Sequence, residues 1–255
     1  MNKKIVVGNL KMNPVSPVEL ERYLDLLERE MKNKKMERTE IVICPPAIYF
    51  DRLIQRKMKK VQLGAQDAFW EYQGAYTGEI SAAMMKAAGA QYAIVGHSER
   101  RKYFGEDENI INLKLKAILK SGLSAVLCVG ESLEERKGGQ TSPVLKKQLK
   151  NSLLGVGTGK TEYITVAYEP IWAVGTDKIP TSDEILEAKL IIKKALTELF
   201  AKKTVEKIRV IYGGSVKSFW VKQVCLDPAM DGALVGRESL APHEFLKIAA
   251  VIDEN

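Results

Sequence analysis

The feature that most constrains this chain is an eightfold alternation of strand-like and helix-like segments. Short apolar runs rich in β-branched residues fall at 4–8, 41–44, 61–65, 92–95, 124–129, 165–169, 208–212 and 232–235. Each is too short for a helix and ends at Gly, Pro or a polar tip, as strands buried on both faces do. Helical patterns separate them at 17–32, 49–57, 81–88, 109–120, 142–154, 182–201, 219–225 and 242–252. The first carries the stripe Leu20, Tyr23 or Leu24, Leu27, Met31, one face of a 3.6-residue repeat. Ser182 and Asp183 offer N-caps to the long helix that follows them. Strict alternation predicts parallel strands with right-handed crossovers. Eight units in 255 residues predict an α/β fold, a single closed (β/α)8 barrel with outer helices. No linker or low-complexity tract divides the chain, so one domain over residues 1–255 is expected.

Composition removes several function classes. The net charge is +7, but Lys and Arg are spread along helical segments, which argues for solvated faces over a nucleic-acid surface. A positive field can still draw in a small anion. Three cysteines, Cys44, Cys128 and Cys225, without CxxC spacing do not make a disulfide framework or a thiolate site. His97 and His243 alone do not make a zinc cluster. The N-terminal apolar run is too short for a signal peptide, and no stretch is long enough to span a membrane, so a cytoplasmic location is expected.

In a parallel barrel all strand C-termini open on one face, and chemistry belongs there. Those ends carry Asn9 and Lys11, Cys44, Gln66, His97 and Glu99, Glu131, Glu169, Ser215 and Gly236. Glu169 closes the sixth run with Pro170 behind it. The segment after it, from Ile171 to Thr176, is too apolar for an ordinary surface loop. It reads as a lid that closes over a site and excludes water; a buried ion pair under a packed loop is the competing reading. Taken singly, Lys11 is a solvated lysine, His97 a structural histidine and Glu99 with Arg100 a surface pair. Their shared position on one face is what these readings leave unexplained. Gly213-Gly214-Ser215 and Gly236 leave backbone N–H groups bare after the last two strands, where barrels often hold phosphate, and Gly175 offers a third such group. The loop 66–79, from Gln66 to Glu79, carries Phe69, Trp70, Tyr72 and Tyr76; it suggests a protein–protein contact or a loop folded back on its own core.

The chain resembles the triosephosphate isomerase family. The matching stretches are Gly8-Asn9-Leu10-Lys11-Met12-Asn13, Gly74-Ala75-Tyr76-Thr77-Gly78-Glu79, Val95-Gly96-His97-Ser98-Glu99-Arg100-Arg101, the run from Ala167 to Thr176, Tyr212-Gly213-Gly214-Ser215-Val216 and Asp231-Gly232-Ala233-Leu234-Val235-Gly236. They fall in the family's order across the whole chain. The resemblance implies a TIM barrel that interconverts dihydroxyacetone phosphate and D-glyceraldehyde 3-phosphate. It implies Glu169 as base, His97 as a neutral electrophile and Lys11 as a charge on substrate oxygens. Asn9, Gly175, Ser215, Val235, Gly236 and Arg237 would bind substrate. Glu99, Cys128, Tyr212 and Thr77 would support the site. No metal or organic cofactor is implied. The loop 66–79 would form a homodimer, with Thr77 reaching the neighbouring subunit's Asn9–Lys11 region.

The chain departs from the family at four places. Leu10 stands where Trp is usual, with only a packing change expected. Asp177 replaces a common lid Gly. Pro180 falls in the lid's second hinge, where a backbone N–H usually meets the tyrosine matching Tyr212; proline has none. Arg237 replaces a second Gly and either donates through its backbone, places its charge near the phosphate, or is simply solvated. A non-catalytic phosphate-binding or scaffold barrel is the reading from another class; an intact Lys11, His97 and Glu169 argue against it.

Overall fold

Each apolar run becomes a strand of the computed structural model, which describes residues 3–32, 34–174 and 178–255. The strands are β1 (Lys4–Asn9), β2 (Thr39–Cys44), β3 (Val61–Ala65), β4 (Tyr92–Val95), β5 (Ser124–Val129), β6 (Ile164–Tyr168), β7 (Arg209–Tyr212) and β8 (Gly232–Val235). They pair in sequence order, all parallel, and β8 closes on β1 with Ile5 opposite Gly232 and Gly8 opposite Val235. The helices are α1 (Pro17–Lys32), α2 (Phe50–Gln55), α3 (Ala82–Ala87), α4 (Ser98–Phe104), α5 (Glu108–Lys120), α6 (Leu133–Lys137), α7 (Thr141–Ser152), α8 (Ser182–Leu199), α9 (Lys202–Val205) and α10 (Pro242–Glu254).

The two-residue pleat sorts the strand side chains into two cores. Ile5, Val7, Val42, Ile94, Val126, Cys128, Ala167, Ile211 and Leu234 fill the barrel interior. Their neighbours Val6, Ile41, Val95, Leu127, Val166, Val210 and Val235 pack outward against the helices. On α1, Leu20, Tyr23, Leu24, Leu27 and Met31 are buried, the stripe expected from its period. Leu10 is fully buried in the outer core. At the N-terminal end of the barrel, Tyr92 donates to Glu40 at 2.6 Å and Arg209 donates to the same carboxylate at 3.0 Å, closing the bottom with a polar plug.

Some local expectations shift. The cap of α8 is Thr181, not Ser182 or Asp183. Its hydroxyl accepts from the Glu184 N–H while Glu184 accepts from the Thr181 N–H, a reciprocal pair that the other two positions cannot complete. The segment predicted as a helix over 219–225 is a 3-10 turn (Ser218–Trp220) followed by a π-helical turn (Lys222–Leu226). Of the two readings of the loop 66–79, the structure shows the fold-back onto its own core. Phe69 is buried and stacks on Trp70 and Tyr76 at 4.0 and 4.7 Å, while Tyr72 is 73% exposed. No described helix is long and apolar enough to cross a membrane.

Candidate active site

The pleat that fills the barrel interior also builds the site. Two residues beyond Val7, Cys128, Ala167, Ile211 and Leu234 come Asn9, Gly130, Glu169, Gly213 and Gly236, at the C-terminal mouth. This layer is mostly glycine, so it leaves a hole rather than a packed tier. The absences have specific uses. A Cβ at Gly213 would lie 2.8 Å from Glu169 Cγ, and one at Gly236 would press on Lys11 Cε at 3.2 Å. Asn9, Lys11, His97, Glu169, Ser215, Gly236 and Arg237 line the resulting pocket.

Glu169 is 2% exposed. One oxygen accepts the Ser98 N–H at 2.9 Å, at the start of α4. The other, Oε1, lies 3.2 Å from His97 Nε2, off the hydrogen-bond axis, and has no hydrogen-bond partner among the described residues. A buried carboxylate oxygen left bare beside a ring nitrogen is costly in a finished core and useful in a site that awaits a ligand. His97 caps α4: its Nδ1 accepts the Glu99 N–H at 3.3 Å. An accepting Nδ1 carries no proton, so the neutral ring holds its proton on Nε2, facing Glu169.

Lys11 has φ +54, in the left-handed region that lysine disfavours. Three contacts impose it. Its N–H donates to Asn9 Oδ1 at 3.0 Å, Gln66 donates to its carbonyl at 2.7 Å, and its ammonium meets Glu99 Oε1 at 2.5 Å. The second Gln66 proton goes to the Cys44 carbonyl at 2.8 Å, so one side chain ties the tip of β2 to the Lys11 turn. Ser215 donates its hydroxyl to the Ala173 carbonyl at 2.9 Å, joining the β7 loop to the segment after Glu169. Val235 points its side chain into the outer core and brings only backbone to the mouth. Cys128 lies fully buried below Glu169; burial first, and the Glu169 charge second, push its thiol well above the usual range. Tyr212 is fully buried, burial raises its hydroxyl pKa, and that hydroxyl has no partner among the described residues. Thr77 stands on an exposed stretch, away from its own chain's pocket. Gly175, Thr176 and Asp177 lie outside the described residues.

Sequence reasoning gave no role to four other features. Gln66 was visible only as a polar strand tip. The Ser239 hydroxyl lies 3.0 Å from the Asn9 carbonyl and 2.6 Å from that of Gly236, stapling the mouth of β1 to that of β8. Glu131, fully buried, accepts from Tyr168, Trp172 and Arg136 at 2.9, 3.2 and 3.1 Å, and Arg136 also donates to Glu184. This network ties the start of the apolar segment to the cap of α8. Lys217 also lines the pocket. Glu131 had the same kind of signal, a carboxylate at a buried strand end; Ser239 and Lys217 had none.

The fold and mouth are those of the (β/α)8 barrel enzymes, whose chemistry sits on this face. The family model for triosephosphate isomerase matches residues 4–252. Curated relatives of that name match along nearly their whole length. One from Alkaliphilus oremlandii (strain OhILAs) is 41% identical over 250 residues, 97% of this chain and 99% of the relative. One from Carboxydothermus hydrogenoformans is 41% identical over 252 residues, 97% and 98%. A third, from Lactobacillus delbrueckii subsp. bulgaricus, is 40% identical over 245 residues, 96% of each. The chain belongs to the triosephosphate isomerase family, and is therefore an isomerase.

Proposed function

We propose that this chain interconverts dihydroxyacetone phosphate and D-glyceraldehyde 3-phosphate through an enediolate, as one catalytic domain, in glycolysis and gluconeogenesis in the cytoplasm. The observation that carries the reading is the pairing of Glu169 Oε1 with His97 Nε2 at 3.2 Å over a glycine-lined hole. A substrate carbonyl placed there meets a base and a hydrogen-bond donor at once. Glu169 takes a proton from the carbon beside the carbonyl, and the electron pair moves onto oxygen as the enediolate forms. His97, neutral and protonated on Nε2, donates to that oxygen. Lys11 adds a positive charge near it, with Asn9 beside it. Glu169 then returns the proton to the neighbouring carbon. Glu99 holds the Lys11 ammonium and presents its N–H to His97, so it positions both. The phosphate rests on the backbone N–H groups of Ser215, Gly236 and Arg237, with Gly175 joining when the lid closes. Proton transfer and carbonyl activation come from side chains, and no cofactor is assigned.

We further propose a homodimer through the loop 66–79, with Thr77 completing the neighbour's Asn9–Lys11 region. Support comes from the exposed apolar side chains around that loop and the Lys11 turn: Met12 at 89%, Tyr72 at 73% and Tyr76 at 45%. The test of the reaction is a coupled assay of glyceraldehyde 3-phosphate turnover, with and without chelator, beside Glu169→Asp. Turnover that survives chelation and falls by about a hundredfold or more in the variant is expected. A folded chain with no turnover overturns the isomerase reading and leaves a phosphate-binding scaffold in its place.

A further inference from the structure

The phosphate end of the pocket carries two cations that backbone donors do not require. Lys217 and Arg237 both line it, from the loops after β7 and β8. The Lys217 ammonium stands 4.9 Å from the Trp220 ring centroid and 5.9 Å from that of Phe219. Such contacts orient a cation without neutralising it. The next residue, Ser218, donates its N–H to Glu244 of α10 at 2.8 Å, which anchors the loop that presents Lys217. Neither Lys217 nor Arg237 meets a carboxylate within 4.0 Å among the described residues. Glu238 lines the same rim, so the three charges leave an excess of one positive. Lys11, by contrast, is spoken for by Glu99.

We infer that Lys217 and Arg237 form a cationic rim that sets specificity for the dianionic phosphate, raising capture of the charged triose over a neutral one and taking no part in proton transfer. This deepens the isomerase reading and rests on it. The rim acts across partly solvated space, so its effect is moderate and falls with salt: about three- to tenfold per cation at low ionic strength. Arg237 contributes twice, by its backbone N–H and by its guanidinium.

The experiment compares the parent with Lys217→Gln, Arg237→Gly and the double variant. kcat/KM is measured on D-glyceraldehyde 3-phosphate and on phosphate-free D-glyceraldehyde, from about 20 to about 500 mM salt. Binding of inorganic phosphate is measured by calorimetry in parallel. Three results are expected in the double variant. The ratio of charged to neutral substrate falls about tenfold or more at low salt, mostly through KM. The salt slope becomes shallower, and phosphate binding weakens in step. Lys217→Arg, which keeps the charge, restores most of the ratio. Variants that keep the parent's phosphate affinity and salt slope overturn the rim, whether or not the chain turns over either triose. Loss of the isomerase reading shows separately, as absent turnover in the parent.

Discussion

At the scale of the residue, Lys11 combines two opposed demands. Its ammonium needs a long side chain, while its backbone sits at φ +54, where any side chain costs about 1–3 kcal/mol. The turn persists because neighbours over-determine it, and Gln66 is one of them. It donates to the carbonyls of both Lys11 and Cys44. Gln66→Ala is expected to strand the Lys11 carbonyl, while that of Cys44 keeps the Leu10 N–H at 3.0 Å; it should lower stability by about 1–3 kcal/mol and reduce kcat about tenfold as the ammonium drifts. Thermal unfolding and steady-state kinetics read the two effects apart. A stable variant with unchanged kcat would show that Lys11 does not depend on this clamp. Much of the candidate pocket's lining was legible residue by residue, because Glu169, His97 and Lys11 sit at strand tips, which open on one face of the barrel. Gln66 was not, because a side chain that binds two carbonyls leaves no period or motif behind.

At the scale of the element, the segment between β6 and α8 is held at both ends. Glu131 fixes its start through Trp172, and Arg136 links Glu131 to Glu184 beside the Thr181 cap. The far hinge departs from what the mechanism would favour. Pro180 is buried, has no N–H to give, and accepts from Gln223 at 2.9 Å through its carbonyl. The Tyr212 hydroxyl has no partner among the described residues. Pro180→Ala restores a donor at that hinge. kcat should rise by about two- to tenfold, the worth of one hydrogen bond made on closure, and less inorganic phosphate should escape per turnover. Tyr212→Phe in the same background should cancel the gain, which a double-mutant cycle reads directly. Equal kcat and equal phosphate release in parent and Pro180→Ala would dismiss the contact. Strand positions were readable here and short helices were not. β3, β4, β5 and β8 have the expected bounds because both-face burial writes itself as an unbroken apolar run. α6 and α9, five and four residues long, are too short to display a helical period.

At the scale of the whole molecule, the proposed homodimer would cover the exposed Met12, Tyr72 and Tyr76 around the Lys11 turn and the loop 66–79 and make the site a property of two chains rather than one. Light scattering should give about twice the 28.4 kDa chain mass. Thr77→Arg should shift the population toward monomer and lower kcat with it, because the Asn9–Lys11 region loses its outside support. A fully active monomer at assay concentrations would sever the site from the assembly. The other end of the barrel has a different consequence. Glu40, Tyr92 and Arg209 seal the bottom, and apolar side chains fill the interior above them. The molecule is a blind well, not a conduit. Triose enters and leaves through one doorway, so traffic is single-file: each product must clear the mouth before the next substrate can descend. Whichever triose is more abundant in the surroundings holds the entrance against the other.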